Sequence, residues 1–166
     1  MTSGASRAEF PSAPSRGYDR RIRERAVEIL SAGPSSGRTA TVAWIARLAS
    51  GAVFVVFGVG KFTSHGSEVD SFETYGLPSP DAFVYAIGLI EVVGGLLLLA
   101  GIATRLAAAV LAGDMAGAIV VSGIGEGEII SLTLAPVLLI AMVFLIRVGP
   151  GRHALDHRLA GSAGRG

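Results

Sequence analysis

The chain has 166 residues, 51% of them hydrophobic and 16% charged, with a formal net charge of +1, whereas soluble domains carry about 25% charged residues. It has no cysteine, which excludes disulfide exchange, iron–sulfur clusters, covalently attached haem and thiolate metal sites within this polypeptide. Any redox role must rest on a bound cofactor or on a partner.

Residues 1–40 hold Arg7, Arg16, Arg20, Arg21, Arg23, Arg25 and Arg38 among stretches rich in Ser, Gly, Ala and Pro. With so little apolar content to bury, they read as a disordered, basic extension. Inside it, Ile22, Ala26 and Ile29 recur at helical spacing and predict a short amphipathic helix over 18–30. Such a helix either sets topology as a solvated element or lies on anionic lipid. The Arg cluster is followed by no short apolar region with a cleavage site, so no signal peptide is expected and the first span serves as its own insertion signal. Arg20-Arg21 lacks the apolar run of a twin-arginine signal.

A membrane domain is expected over 41–148, with spans at about 42–62, 81–101, 104–122 and 129–148, each near the ~20 residues that a crossing helix needs. The fold class is therefore all-α, an integral membrane four-helix bundle. In span one, Arg47, Ser50, Gly51, Phe54, Gly58 and Lys61 share one helical face. Small residues let helices approach and cations avoid lipid, so this face is expected to point into the bundle.

The connection from Thr63 to Pro80 holds His65, Glu68, Asp70 and Glu73, read as a solvated acidic loop rather than a metal site. Ser79-Pro80-Asp81 is a helix start signal. Glu91 shares its face of span two with Gly88, Gly94 and Gly95, and Asp114 in span three is flanked by Ala107, Gly117 and Ala118. Gly51, Gly58, Gly88, Gly94, Gly95 and Gly117 are the expected helix-packing positions. In span four, Pro136 is expected to bend the helix. The tail, 149–166, contains His153 and His157, two ligands without a third, and no metal site is expected anywhere in the chain.

Arg105, Arg147, Arg152, Arg158 and Arg165 fall on the same predicted side as the basic extension, while Glu68, Asp70, Glu73, Glu126 and Glu128 fall on the other. The positive-inside rule then places both termini in the cytoplasm.

An ionisable side chain at the centre of a span costs roughly 2.5–3.5 kcal/mol, so Glu91 and Asp114 mark where function is first to be sought. Each lies about 11 residues from the turn at 101–104, roughly 17 Å at 1.5 Å per residue. Arg47 is expected to reach toward them, and Lys61, near the outer edge, to point at the acidic loop. Arg47, Lys61, Glu91 and Asp114 form the candidate buried polar cluster. With two carboxyls beside one cation, one carboxyl is expected to hold a proton. A polar lock of helix register, a proton relay and a quinone-headgroup contact all remain open. No independent catalytic motif is legible, and Gly58-Val59-Gly60-Lys61 lacks the spacing of a phosphate loop.

The residues also fall into a familiar order. Arg47-Leu48, Gly51, Phe54, Gly58, Lys61-Phe62, Phe72 and Gly76-Leu77-Pro78 are followed by Glu91-Val92-Val93-Gly94-Gly95, Gly101-Ile102-Ala103-Thr104-Arg105-Leu106-Ala107-Ala108 and Ala112-Gly113-Asp114-Met115. This pattern resembles the DoxX family over about residues 43–158, with Arg47, Lys61, Glu91, Gly94, Gly95, Arg105 and Met115 at motif positions. Gly149-Pro150-Gly151-Arg152-His153-Ala154-Leu155-Asp156 resembles a tail seen in some members. The resemblance implies a four-span protein of the bacterial inner membrane, with some relatives linked to thiosulfate:quinone oxidoreductase or to complexes that handle oxidative stress.

Three functions follow as expectations. The first is a membrane subunit of a redox or oxidative-stress complex, with no intrinsic cofactor, a quinone site near Glu91, Asp114 and Arg47, and a redox partner protein. The second is a proton-coupled carrier of small solutes that cycles the Glu91/Asp114 pair. The third is a structural scaffold. Lipid is the common partner, self-association into a homo-oligomer is compatible with all three, and no nucleic-acid partner is expected.

Overall fold

The computed structural model describes residues 33–34 and 36–157, together with Arg25. The helix expected over 18–30 and most of the basic extension lie outside the described residues. Helix α1 runs over Gly37–Thr63, α2 over His65–Thr74, α3 over Pro80–Ala100, α4 over Thr104–Ala118 and α5 over Ile129–Val148, and α4 continues as a π-helical segment, Ile119–Gly125. Among the described residues, four helices are long and apolar enough to cross a membrane: α1 with 27 residues, α3 with 21, α4 with its π-helical extension at 22, and α5 with 20.

Glycine decides how these helices meet. A methyl group added at Gly51 would stand 2.9 Å from the Gly95 carbonyl oxygen, one at Gly58 2.8 Å from the Val92 backbone nitrogen, and one at Gly88 3.1 Å from the Phe62 ring. The α1 and α3 backbones are thus in near contact along antiparallel axes, closer than any larger residue permits. Leu111, Met115, Leu138, Met142 and Leu145 from α4 and α5 complete one core with Phe54 and Leu98. Gly94 joins the two halves, since a methyl there would lie 2.9 Å from Leu111. Helix α5 passes unbroken through Pro136.

The turn between α3 and α4 carries an unforeseen fixture. Gly101 ends α3 in a left-handed conformation (φ 67°), with hydrogen bonds from Gly101 N to Leu98 O and from Ile102 N to Leu97 O, the glycine-terminated closure that satisfies the last carbonyls of a helix. The Asp156 carboxylate then accepts hydrogen bonds from Ala103 N (2.7 Å) and Thr104 N (3.1 Å). A carboxylate there satisfies otherwise orphaned amides and meets the positive end of the α4 dipole. Asp156 N also donates to Gly101 O, and Arg152 N to Ala40 O. Residues 149–156 therefore do not trail from the bundle; they fold across its end, which is called here the tail end.

At the opposite end, the segment read as a solvated loop is helical over His65–Thr74. His65, Glu68, Val69 and Phe72, with Tyr75 just beyond, are half-buried while Asp70 and Glu73 are exposed, a one-sided helical pattern. This second end is called the lid end.

In thermal unfolding of detergent-solubilised protein, Gly58→Ala is expected to destabilise by about 1–3 kcal/mol, the range for overpacking. Gly60→Ala, where an added methyl meets nothing within 4 Å, is expected to be neutral or to stabilise by up to about 1 kcal/mol.

Candidate functional site

Between the lid and the centre of the bundle lies a cavity of about 520 Å³. Its walls are mainly apolar, with Phe54 and Phe57 from α1, Phe83 and Ile87 from α3, and Leu134 and Leu138 from α5. Lys61, Glu91 and Asp114 supply the deep polar groups, and Glu68, Ser71, Tyr75, Ser122, Glu128 and Ser131 those near the lid.

Lys61 is the hub. Its Nζ lies 3.1 Å from Glu68 Oε2 on the lid and 4.0 Å from Glu91 Oε2, and 5.7 Å from the centre of the Phe72 ring, within the reach of a cation–π contact. Glu91 is only 5% exposed. Its Oε2 and Asp114 Oδ2 have no hydrogen-bond partner, and buried polar atoms left in that state are rare and costly. Two acceptors and one ammonium thus line a largely apolar space.

The lid is pinned at both ends. Near its start, Glu68 is held by Lys61, and His65 Nε2 lies 2.7 Å from Asp81 Oδ1 with the His65 ring stacked on Tyr85 at 4.2 Å. At its far end, Tyr75 reaches the start of α5, where burial and then the neighbouring Glu128 carboxylate hold its phenol above the ordinary value. It remains a protonated donor throughout the neutral range. Below it, Ser131 Oγ donates to Glu128 Oε2 (2.6 Å), and the Ser122 hydroxyl, with one proton to give, lies 2.8 Å from both Ser131 Oγ and Ala118 O. Ser122 belongs to the π-helical segment, whose wider turn lets the adjacent Val121 and Ser122 both reach the cavity wall.

Two expectations need correction. Arg47 does not join the cluster: it lies on α1 fourteen residues from Lys61, about 21 Å along the axis. It is 1% exposed, its Nη2 donates to Arg152 O at 3.4 Å, and its guanidinium covers Gly101 so closely that no side chain fits there. The reason is register. Helix α1 begins at Gly37, and the Gly51–Gly95 and Phe62–Gly88 contacts set Lys61 level with the third turn of α3 and Arg47 level with the α3–α4 turn. Lys61 therefore takes the place foreseen for Arg47, while also meeting the acidic segment through Glu68. The second correction is Gly117, which is exposed and meets no neighbouring helix, because α4 has turned this face away from α5.

Neither the lid nor the Asp156 clamp appears among the sequence-derived site features. The spacing of residues 65, 68, 69, 72 and 75 carried a signal for the lid, masked by its acidic content. The Asp156 contacts span 53 and 52 residues, and no local pattern announces them. Among the described residues, no group of three His, Asp or Glu side chains is placed to hold a metal ion.

Comparison with known proteins places these features in context. The family model described as DoxX matches residues 42–123. The chain is 34% identical over 132 residues to "Uncharacterized membrane protein Rv3486" of Mycobacterium tuberculosis, covering 69% of this chain and 78% of that relative. It is 36% identical over 74 residues to "Putative oxidoreductase CatD" of Bacillus subtilis, covering 45% of this chain and 54% of that protein. No solved structure matches the chain significantly.

A double-mutant cycle tests the rearranged cluster. Lys61→Met and Glu91→Gln are expected to couple by about 0.5–3 kcal/mol in unfolding free energy, the range for residues in one polar network. Arg47→Met and Glu91→Gln, which share no partner, are expected to add within about 0.5 kcal/mol.

Proposed function

Since this chain belongs to the DoxX family, and so is a multi-pass membrane protein with a redox association, we propose that it serves as a membrane subunit of an oxidoreductase or oxidative-stress complex and holds a quinone headgroup in the cavity beneath its lid. The observation that carries the reading is that the Lys61 ammonium shares an otherwise apolar wall with two acceptor oxygens, on Glu91 and Asp114, that have no hydrogen-bond partner. That mixture suits a flat, largely apolar molecule with a few polar atoms at fixed places.

The residues fit such a group. Lys61 would donate to a quinone carbonyl oxygen, and Glu91 and Asp114 would accept from the hydroxyls of the reduced form. When bound, the quinone supplies reversible two-electron, two-proton chemistry. The chain's part is to orient the head, to keep water out beneath the lid and to hold protons at the two carboxyls. With no cysteine in the chain, a partner protein delivers the electrons. The basic residues Arg105, Arg147 and Arg152 gather at the tail end and the acidic residues Glu68, Glu73, Glu126 and Glu128 at the lid end. We therefore place the tail end in the cytoplasm of a bacterial cell and the lid on the outer face of the inner membrane.

The same two carboxylate oxygens also favour a second reading, a proton-coupled solute carrier. The two readings separate experimentally. Protein purified from native membranes in mild detergent is expected to retain an isoprenoid quinone by mass spectrometry, and Lys61→Met to bind added quinone at least tenfold more weakly, about 1.4 kcal/mol. Absence of quinone from the native protein and of any measurable quinone affinity would overturn the headgroup reading. Proton-driven solute flux in liposomes, abolished by Glu91→Gln, would then establish the carrier.

A further inference from the structure

The cavity has a side as well as a lid. Helices α3 and α4 are joined by the short turn at Gly101–Ala103 and touch again where Gly94 meets Leu111. Beyond that contact, toward the lid end, the cavity lies against both helices. Phe83 and Ile87 wall the cavity from α3 and Val110, Gly113 and Gly117 from α4, yet an added methyl at Gly113 or Gly117 meets nothing within 4 Å. Phe83 is 39% exposed and Val110 48%. These positions lie inside the membrane-crossing lengths of both helices, so the surface exposed there faces lipid. Glu91, buried and with Oε2 lacking a hydrogen-bond partner, belongs to the same cavity, which gives the opening a polar destination.

We propose that the gap between the lid-end halves of α3 and α4 is a lateral portal, through which a bilayer-dissolved amphiphile enters head first and leaves its hydrocarbon chain lying over Gly113 and Gly117. The inference rests on the cavity being a binding site, as proposed above, and adds the class of ligand and its route. The lid supports the same direction of entry: it is tied to α1 through Lys61–Glu68, to α3 through His65–Asp81 and to the start of α5 through Tyr75 beside Glu128. The water-facing end is thereby covered, while the lipid-facing side is bounded by two glycines. A glycine leaves the width of a hydrocarbon chain where a leucine would fill it. Entry from lipid disfavours a water-dissolved solute as the physiological ligand.

The absence of native cysteine makes the route measurable. In nanodiscs, Ala135→Cys places a thiol at a buried cavity-wall position (5% exposed), and Val120→Cys places a reference thiol on the lipid-facing surface. Relative to that reference, a lipid-dissolved alkyl maleimide is expected to label Ala135→Cys at least tenfold faster than a membrane-impermeant sulfonated maleimide. Adding Gly113→Leu or Gly117→Leu is expected to slow the lipid-borne reagent at least tenfold. Equal or faster labelling by the impermeant reagent, insensitivity to the leucines, or no labelling by either reagent would overturn the portal. Leu138→Cys, at a second buried wall position, serves as reporter if Ala135→Cys does not fold. No quinone takes part in this assay, so leucine-sensitive labelling together with failed quinone binding would sink the headgroup reading alone. Quinone binding with leucine-insensitive labelling would sink the portal alone.

Discussion

The close approach of α1 to α3 governs the rest of the molecule. With Gly51 against the Gly95 carbonyl and Gly58 against the Val92 amide, the two backbones can take few relative positions, because a slip along either axis drives a side chain into a backbone. That fit selects which cation on α1 meets Glu91. It puts Lys61 beside the carboxylate and sends Arg47 to the tail end, where it is buried under the returning chain. In a membrane, where lipid tails are as apolar as the side chains they touch, such close packing is a principal source of helix association.

The polar groups divide between the two ends for different physical reasons. At the tail end, backbone amides at the start of α4 need an acceptor, and Asp156 supplies one within hydrogen-bond distance of both Ala103 and Thr104. At the lid end the need is inverted. Glu91 and Asp114 bring acceptor oxygens into a space with few donors, and Lys61 is shared between Glu91 and the lid residue Glu68. At the tail end the backbone amides of Ala103 and Thr104 are met while Arg47 Nε and Nη1 have no hydrogen-bond partner; at the lid end the atoms without one are carboxylate oxygens that line a cavity. An incompletely satisfied buried network is costly to maintain unless something completes it.

The four long helices were legible in the sequence because hydropathy over some 20 residues is a long-range average that tolerates local error. Glu91 and Asp114 stood out for the same reason, as charges inside apolar runs. Register was not legible. Arg38 and Thr39 look like extension rather than helix, yet α1 starts before them at Gly37, and a few residues of offset changed which cation was assigned to the carboxylates. The lid was partly legible in its helical spacing, but its acidic content reads equally as a solvated loop. The Asp156 clamp was not legible at all, since a single carboxylate in a tail gives no sign of the amides it will meet some fifty residues away. Gly117 shows the ambiguity of a small residue in a span: the same absence of a side chain that brings helices together can also leave an opening.

The Asp156 clamp bears on the order in which the protein is made. The ribosome releases the α3–α4 turn well before it adds the residue that caps it, and all of α5 is synthesised in between. The hairpin of α3 and α4 must therefore enter the membrane with the amides of Ala103 and Thr104 open to water, and only when the chain as far as Asp156 has emerged can the end be closed. Arg47, from the first span, is covered in the same event by the backbone of Arg152. Maturation thus has a late step in which one short segment secures the earliest and the middle spans together.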